Sequence, residues 1–138
     1  MSLETAQTAL RAGFFACLSA DGTLTGLLGG ARFHDAPERG AADPYLVLGP
    51  VDSRPLLSGP DEGLVHDLEL TVFSKAESRD TAAASAGRAA EALLHGPVAL
   101  SGHRLVNLTI GSVRSRRLKD GRTFEAVCGM RAVTEPVS

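Results

Sequence analysis

Histidine and cysteine are the side chains of this sequence most able to bind a metal ion or take part in catalysis. The histidines are His34, His66, His95 and His103, and the cysteines are Cys17 and Cys128. No two histidines have the i, i+2 or i, i+4 spacing that puts two ligands on one element, so a metal site would need tertiary contacts alone. The two cysteines lie too far apart for a metal knuckle or a disulfide framework. We therefore expect no metal site and no cofactor.

Motifs for covalent chemistry or phosphate binding are also missing. The sequence has no G-x-S-x-G nucleophile motif and no G-x-x-x-x-G-K-[ST] loop. Asp67 and Glu69 share one face of a predicted strand and could form a carboxylate pair, but ordinary exposed alternation explains them as well. His66 lies on the apolar face of that strand, which favours a core or interface histidine. We expect no enzyme; a small enzyme or ligand-binding domain would need a concave pocket with convergent polar groups.

Positive charge is concentrated near the C-terminal end of the chain. Five basic residues lie within nine positions: Arg114, Arg116, Arg117, Lys119 and Arg122. Such a cluster can simply keep a hairpin end solvated, or it can make an electrostatic contact with an acidic neighbouring subunit or a phosphate backbone. A nucleic-acid-binding module that uses this hairpin is therefore an alternative function.

Composition narrows the choice of function. The chain has 138 residues, a net charge of −2, 4% aromatic residues and no tryptophan, which argues against a polycation or a base-stacking platform. No apolar run approaches 18 residues, so we expect no membrane span, and the N-terminus lacks the basic start of a secretory signal. Residues 1–80 contain 12 acids and 6 bases, whereas residues 81–138 contain 4 and 8. This asymmetry would suit head-to-tail self-association unless folding mixes the two halves.

Periodicity predicts the elements that must position these residues. Helical spacing of apolar residues predicts helices over 3–19, with Ser2 as a plausible cap, and over 79–95, capped by Ser78 or Asp80. Apolar runs or alternation predict strands over 31–33, 44–49, 64–73, 104–115 and 122–134, with an Asp-Gly hairpin turn between the last two. Residues 50–63 are predicted as a loop, and residues 20–30 as a loop with room for one short helical turn. The expected fold is one α+β domain over residues 1–138, a two-layer sandwich in which two helices cover one face of an antiparallel sheet of about four strands.

This order of elements resembles a known family. The features that carry the resemblance follow one another along residues 3–134. They are an N-terminal helix, the stretch from Pro37 to Gly49 containing Asp-Pro-Tyr-Leu-Val-Leu-Gly, a long strand, an alanine-rich helix and a basic hairpin. The chain resembles the tail terminators, small tail-completion proteins of long-tailed phages and gene transfer agents.

The resemblance implies a structural role. Family members of this kind form a ring, expected to be a homohexamer, at the head-proximal end of the tail tube. The ring stops tube polymerisation and joins the tail to the head stopper or connector, while DNA passes through its lumen only as cargo. The partners would be other copies of the chain, the tube protein and the stopper protein, with no membrane partner. The location would be the neck of a phage-like particle assembled in the bacterial cytoplasm.

A ring needs a heterologous interface that closes on itself. We expect the basic hairpin to contact acidic residues of a neighbouring subunit or ring, and the 50–63 loop to make an axial contact. The candidate acids are Asp35, Glu38, Asp61, Glu62, Asp67 and Glu69.

Overall fold

The computed structural model describes residues 3–56, 63–75 and 80–137. Its elements in chain order are α1 (Leu3–Ser19), α2 (Gly22–Leu28), β1 (Phe33–His34), β2 (Tyr45–Pro55), β3 (Leu64–Ser74), α3 (Asp80–His95), β4 (His103–Arg117) and β5 (Phe124–Pro136). The predicted caps Ser2 and Ser78 and the candidate acids Asp61 and Glu62 lie outside the described residues.

The strands form one sheet in the order β1-β2-β3-β5-β4. All neighbours are antiparallel except β1, which runs parallel to β2 and pairs Phe33 with Leu46. The α+β class is therefore confirmed, but the sheet has five strands where about four were expected. The difference lies in the short strand predicted over 31–33, which is present as the two-residue β1 at Phe33–His34 and joins the sheet as its fifth strand.

The helices cover one face of this sheet. Alternation along β3 turns Leu68, Leu70 and Val72 toward the helices, where they are almost completely buried. Leu10 and Phe14 of α1 and a row of α3 alanines pack into the same core cluster, because the small alanine side chains let α3 approach the strands closely. The opposite face of the sheet has no covering element among the described residues; we call it the open face.

A third helix replaces part of the predicted 20–30 loop. Asp21 caps α2 by accepting a hydrogen bond from the Leu24 backbone nitrogen at 2.9 Å. Leu24 and Leu28, one turn apart, are fully buried, and Gly29 ends the helix with φ of 79°. The glycines that suggested a loop lie at the ends and on the exposed side of this short helix.

Strand β2 is longer than its apolar run. Residues 50–55 were predicted as loop, but β2 continues to Pro55 through an irregularity between Leu48 and Val51. A bulge of this kind absorbs the Gly49-Pro50 pair that would otherwise break the strand. Of the predicted 50–63 loop, positions 57–62 lie outside the described residues. Among the helices of the described ranges, none is long and apolar enough to span a membrane.

Candidate assembly interface

The tip of the β4–β5 hairpin is a defined loop. Asp120 accepts hydrogen bonds from the Thr123 hydroxyl at 2.6 Å and from the backbone nitrogens of Thr123 and Arg122 at 2.9 Å. These bonds, with the Thr123 hydroxyl contributing most, lower the pKa of Asp120 to about 2. A two-residue Asp-Gly turn would need positive φ at both residues. Gly121 has φ of 74°, but no non-glycine residue of the described chain has positive φ. The strands are instead joined by a six-residue loop over 118–123.

The five basic residues of the hairpin differ in their surroundings. Arg116 donates to Glu125 at 2.9 Å across the two strands, and the guanidinium of Arg117 lies 5.4 Å from the Phe124 ring centre. Arg114, Lys119 and Arg122 are exposed, and their side chains have no ion-pair partner within the described ranges. The basic side chains of the hairpin without an ion-pair partner are therefore Arg114 of β4 and Lys119 and Arg122 of the 118–123 loop, which we call the tip loop.

The candidate acids are also divided between paired and unpaired groups. Asp35 Oδ1 lies 3.4 Å from Arg11 Nη1, and Glu38 Oε2 lies 3.0 Å from His34 Nδ1. Glu69 is exposed on the open face and has no ion-pair partner in the part of the chain that the structure describes.

Asp67 is held by two arginines of its own chain. Arg131 donates to it at 2.8 Å and Arg54 at 2.6 Å, and these two bonds lower the pKa of the Asp67 carboxyl. Asp67 is therefore occupied within the subunit, which makes it a weaker candidate for a contact between subunits than Glu69.

Folding mixes the acidic and basic halves of the chain. Asp67 pairs with Arg131, and Asp21 makes a two-point contact with Arg88, at 2.6 and 3.0 Å, so both acids of the first half meet bases of the second. The sheet order also places β3 beside β5. The acidic and basic halves of the sequence therefore do not form two oppositely charged ends of the folded subunit.

A buried polar network ties α1 to the sheet. The His66 ring is fully buried, with Nδ1 2.6 Å from the Ser53 hydroxyl and Nε2 2.9 Å from the Thr134 hydroxyl, and Gln7 donates to Ser53 at 2.8 Å. A serine beside a histidine could act as a nucleophile and base. Here both ring nitrogens are occupied by hydroxyls and the ring has no exposed surface, so the network joins elements together. This confirms His66 as a core residue, while its partners were not anticipated because they are distant in sequence.

The thiols and potential metal ligands offer little chemistry. Burial raises the pKa of both Cys17 and Cys128, which disfavours the reactive thiolate. No group of three or more His, Cys, Asp or Glu side chains within residues 3–56, 63–75 and 80–137 could hold a metal ion.

A wide groove crosses the open face of the sheet. Its volume is about 900 Å³, and its lining includes Gly49 of β2, Glu69 of β3, Gly129 of β5 and Gly111 of β4. Three carboxylates and one guanidinium line it, because Asp67, Glu125 and Arg131 also contribute. We call this feature the acidic groove.

Comparison with known proteins identifies the family. The model of the family described as "Tail completion protein gp17" matches residues 12–135. The chain belongs to this family. The prediction of a tail-completion protein is therefore confirmed over nearly the whole chain.

Two solved structures resemble this tail completion protein. A chain from the virion of a native gene transfer agent particle is 30% identical, with a TM-score of 0.82, over 94% of this chain and 97% of that one. The gp17 protein of bacteriophage SPP1 is 20% identical, with a TM-score of 0.56, over 99% and 93% of the two chains, and shows the shared fold. No curated protein sequence matches.

Family membership sets the general role. A tail completion protein is a structural component of a phage-type tail, so the expected location in a virion tail is confirmed. The charged hairpin and the acidic groove are then surfaces on which such a component can contact other proteins.

Proposed function

We propose that the chain acts as a single domain that forms a hexameric ring at the head-proximal end of a tail tube. The ring caps the tube, stops its polymerisation and joins the tail to the stopper or connector of the head, and DNA passes through its lumen. The partners are other copies of this chain, the tube protein and the stopper protein.

The observation that carries this proposal is the family match over residues 12–135, together with the 30% identical chain of a gene transfer agent virion. The charged surfaces support it in a second way. Lys119 and Arg122 extend from one end of the sheet, whereas Glu69 lies midway along it, so complementary charges occupy different parts of the subunit. A heterologous interface, the kind that generates rings, requires two such different surfaces.

Light scattering and electron microscopy test the proposal. The purified chain is measured over a concentration series and is then mixed with tail tubes of its particle. We expect a mass of six subunits, or ring-shaped caps on one end of each tube. Tubes that stay uncapped and continue to grow in the presence of the chain would contradict the proposed function.

Charge reversal tests the role of the hairpin. Lys119→Glu combined with Arg122→Glu should reduce assembly with only a small drop in the midpoint of thermal unfolding. Lys119 has no ion-pair partner among the described residues, and Arg122 interacts electrostatically with Asp120 in an exposed loop. Arg116 and Arg117 are less suitable, since Arg116 contacts Glu125 and Arg117 lies over Phe124 within the subunit. The control is Ala84→Glu, which adds negative charge to the exposed surface of α3. Equal assembly of the double variant and the control would remove the tip from the interface.

The unpaired tip charges also keep a nucleic-acid-binding function as a second candidate. That function predicts duplex DNA binding whose affinity falls steeply as salt rises, through Lys119 and Arg122. The ring proposal predicts weak binding of free duplex at physiological salt. Tight binding there, abolished by the double reversal, would favour the nucleic-acid-binding module.

A further inference from the structure

The acidic groove has an unpartnered acid at its centre. Glu69 lies opposite Gly129 in the register of β3 and β5, so the position that would hold its cross-strand partner has no side chain. A charged residue on an antiparallel strand normally finds its nearest partner at that position. Glu69 therefore lines the acidic groove without an ion-pair partner among the described residues, and it also lines an adjoining recess with Arg114 and Arg116.

The glycines of the groove do not all serve the subunit itself. Gly129 lies within β5 without positive φ, and a Cβ added there would meet nothing within 4 Å. Glycine inside a strand weakens it, and it often marks a place where another backbone or a ligand approaches closely. The subunit alone thus provides no steric reason for glycine at this position.

The tip loop carries the charge that the acidic groove lacks. The 118–123 loop contains two basic side chains and one carboxylate. Of the three carboxylates that line the groove, Asp67 and Glu125 are bonded to arginines of the same subunit, which leaves Glu69 without an ion-pair partner among the described residues. The Asp120 carboxylate is already bonded within its own loop and also interacts electrostatically with Arg122. Lys119 has no ion-pair partner among the described residues, so it is the loop cation most available to an external acid. The loop is also held in one shape by these bonds, which reduces the entropy lost on docking.

The tip loop of a subunit cannot fill its own groove. Phe124, where β5 begins, pairs with Ser74 at the end of β3. Glu69 lies five residues further along β3, which corresponds to roughly 17 Å, and the tip loop extends in the opposite direction. Any tip loop that reaches Glu69 must therefore belong to another copy.

We propose that the acidic groove is the docking site for the 118–123 tip loop of a second copy of this chain, with Glu69 contacting Lys119 or Arg122. This assignment rests on the proposed self-assembly and names the two surfaces that meet. The contact is head to tail, because each copy offers its tip loop to one neighbour and its groove to the other.

A substitution that fills the groove tests the assignment without touching a charge. Gly129→Val places a β-branched side chain in open space, so we expect unchanged or higher thermal stability and at least about tenfold weaker self-association. The matched control is Gly87→Ala in α3, where an added Cβ also meets nothing within 4 Å, and which should associate like the wild type.

Cross-linking provides a second measurement that does not depend on a loss of assembly. Chains carrying Thr71→Cys, a position that lines the groove beside Glu69, are mixed with chains carrying Arg122→Cys under oxidising conditions, so that Glu69 and Lys119 stay in place. The control mixture pairs Thr71→Cys with Leu94→Cys, an exposed position on α3. The wild-type chain gives the background from Cys17 and Cys128. A covalent dimer specific to the first mixture is expected.

The outcomes separate this assignment from the proposed ring. Specific cross-linking together with weakened association of Gly129→Val supports it. Rings or tube caps that form equally with Gly129→Val, with cross-linking no higher than in the control mixture, overturn the docking site and leave the ring intact. A wild-type chain that neither self-associates nor caps tubes overturns both.

Discussion

Acidification from pH 7.5 to 5 should lower the free energy of unfolding through His66. Burial of the ring, and secondarily the nearby His103, lowers the pKa of His66 in the folded state below the ordinary value of 6.5. Asp67 is the one charged group that acts in the opposite direction. The folded protein therefore binds fewer protons than the unfolded chain below pH 6.5, and stability falls as the pH falls.

The size of the effect follows from proton linkage. One proton taken up only by the unfolded chain changes the free energy of unfolding by about 1.4 kcal/mol per pH unit. Between pH 6.5 and pH 5 the loss is therefore at most about 2 kcal/mol, and it levels off once the pH passes below the folded-state pKa. The slope is about half its maximum at pH 6.5 and fades by about pH 7.5, where the ring is neutral in both states.

Urea unfolding at half-unit steps from pH 7.5 to pH 5 measures this slope. His66→Gln should abolish most of it, because the amide still offers a donor and an acceptor to Ser53 and Thr134 but does not titrate. A flat wild-type profile, or the same slope in His66→Gln, would refute the reasoning.

Two further predictions concern the packing of α1 and the order of the tip loop. Gly13→Ala should destabilise the fold by about 1–3 kcal/mol, because the added Cβ would lie 2.6 Å from both the Ala99 carbonyl oxygen and Leu100 Cδ2. The control in urea unfolding is Gly26→Ala in α2, where an added Cβ has no atom within 4 Å. Equal unfolding midpoints for the two variants would contradict the clash. Asp120→Ala should speed amide exchange at Arg122 and Thr123 in hydrogen-exchange experiments, because it removes their acceptor. Asp120→Asn should retain part of that protection, and unchanged exchange in both variants would show that the loop is ordered by other contacts.

The parts of the fold that local sequence determines were predicted well. Helix α1 occupies the expected 3–19, and β3 and α3 differ from their predicted bounds by one residue, because apolar periodicity and caps act over a few neighbouring residues. The hairpin was also found, with strands shifted by up to two residues. In each case the signal lies within the element itself.

The errors have a common cause, which is that the deciding contact is distant in sequence. Strand β2 continues beyond Gly49-Pro50 because β3 pairs with it on both sides of the bulge. Asp67 was a candidate for a subunit contact, yet Arg131, 64 positions away, occupies it inside the subunit. The Ser53–His66–Thr134 network likewise forms only when three strands are side by side. None of these partners can be chosen before the sheet order is known.

The register of the sheet explains which charges remain for other molecules. Charged residues on paired strands have cross-strand neighbours about 5 Å away, so Arg116 finds Glu125 and Asp67 finds Arg131. The charges without an ion-pair partner lack an oppositely charged side chain at the cross-strand position. Lys119 and Arg122 lie beyond the last paired residues of the hairpin. Glu69 lies opposite Gly129, and Arg114 lies opposite Val127. Free charges of opposite sign thus arise at different places on one subunit for the same geometric reason. Directional assembly of identical copies requires this arrangement, because each copy must present two surfaces that fit each other but not themselves.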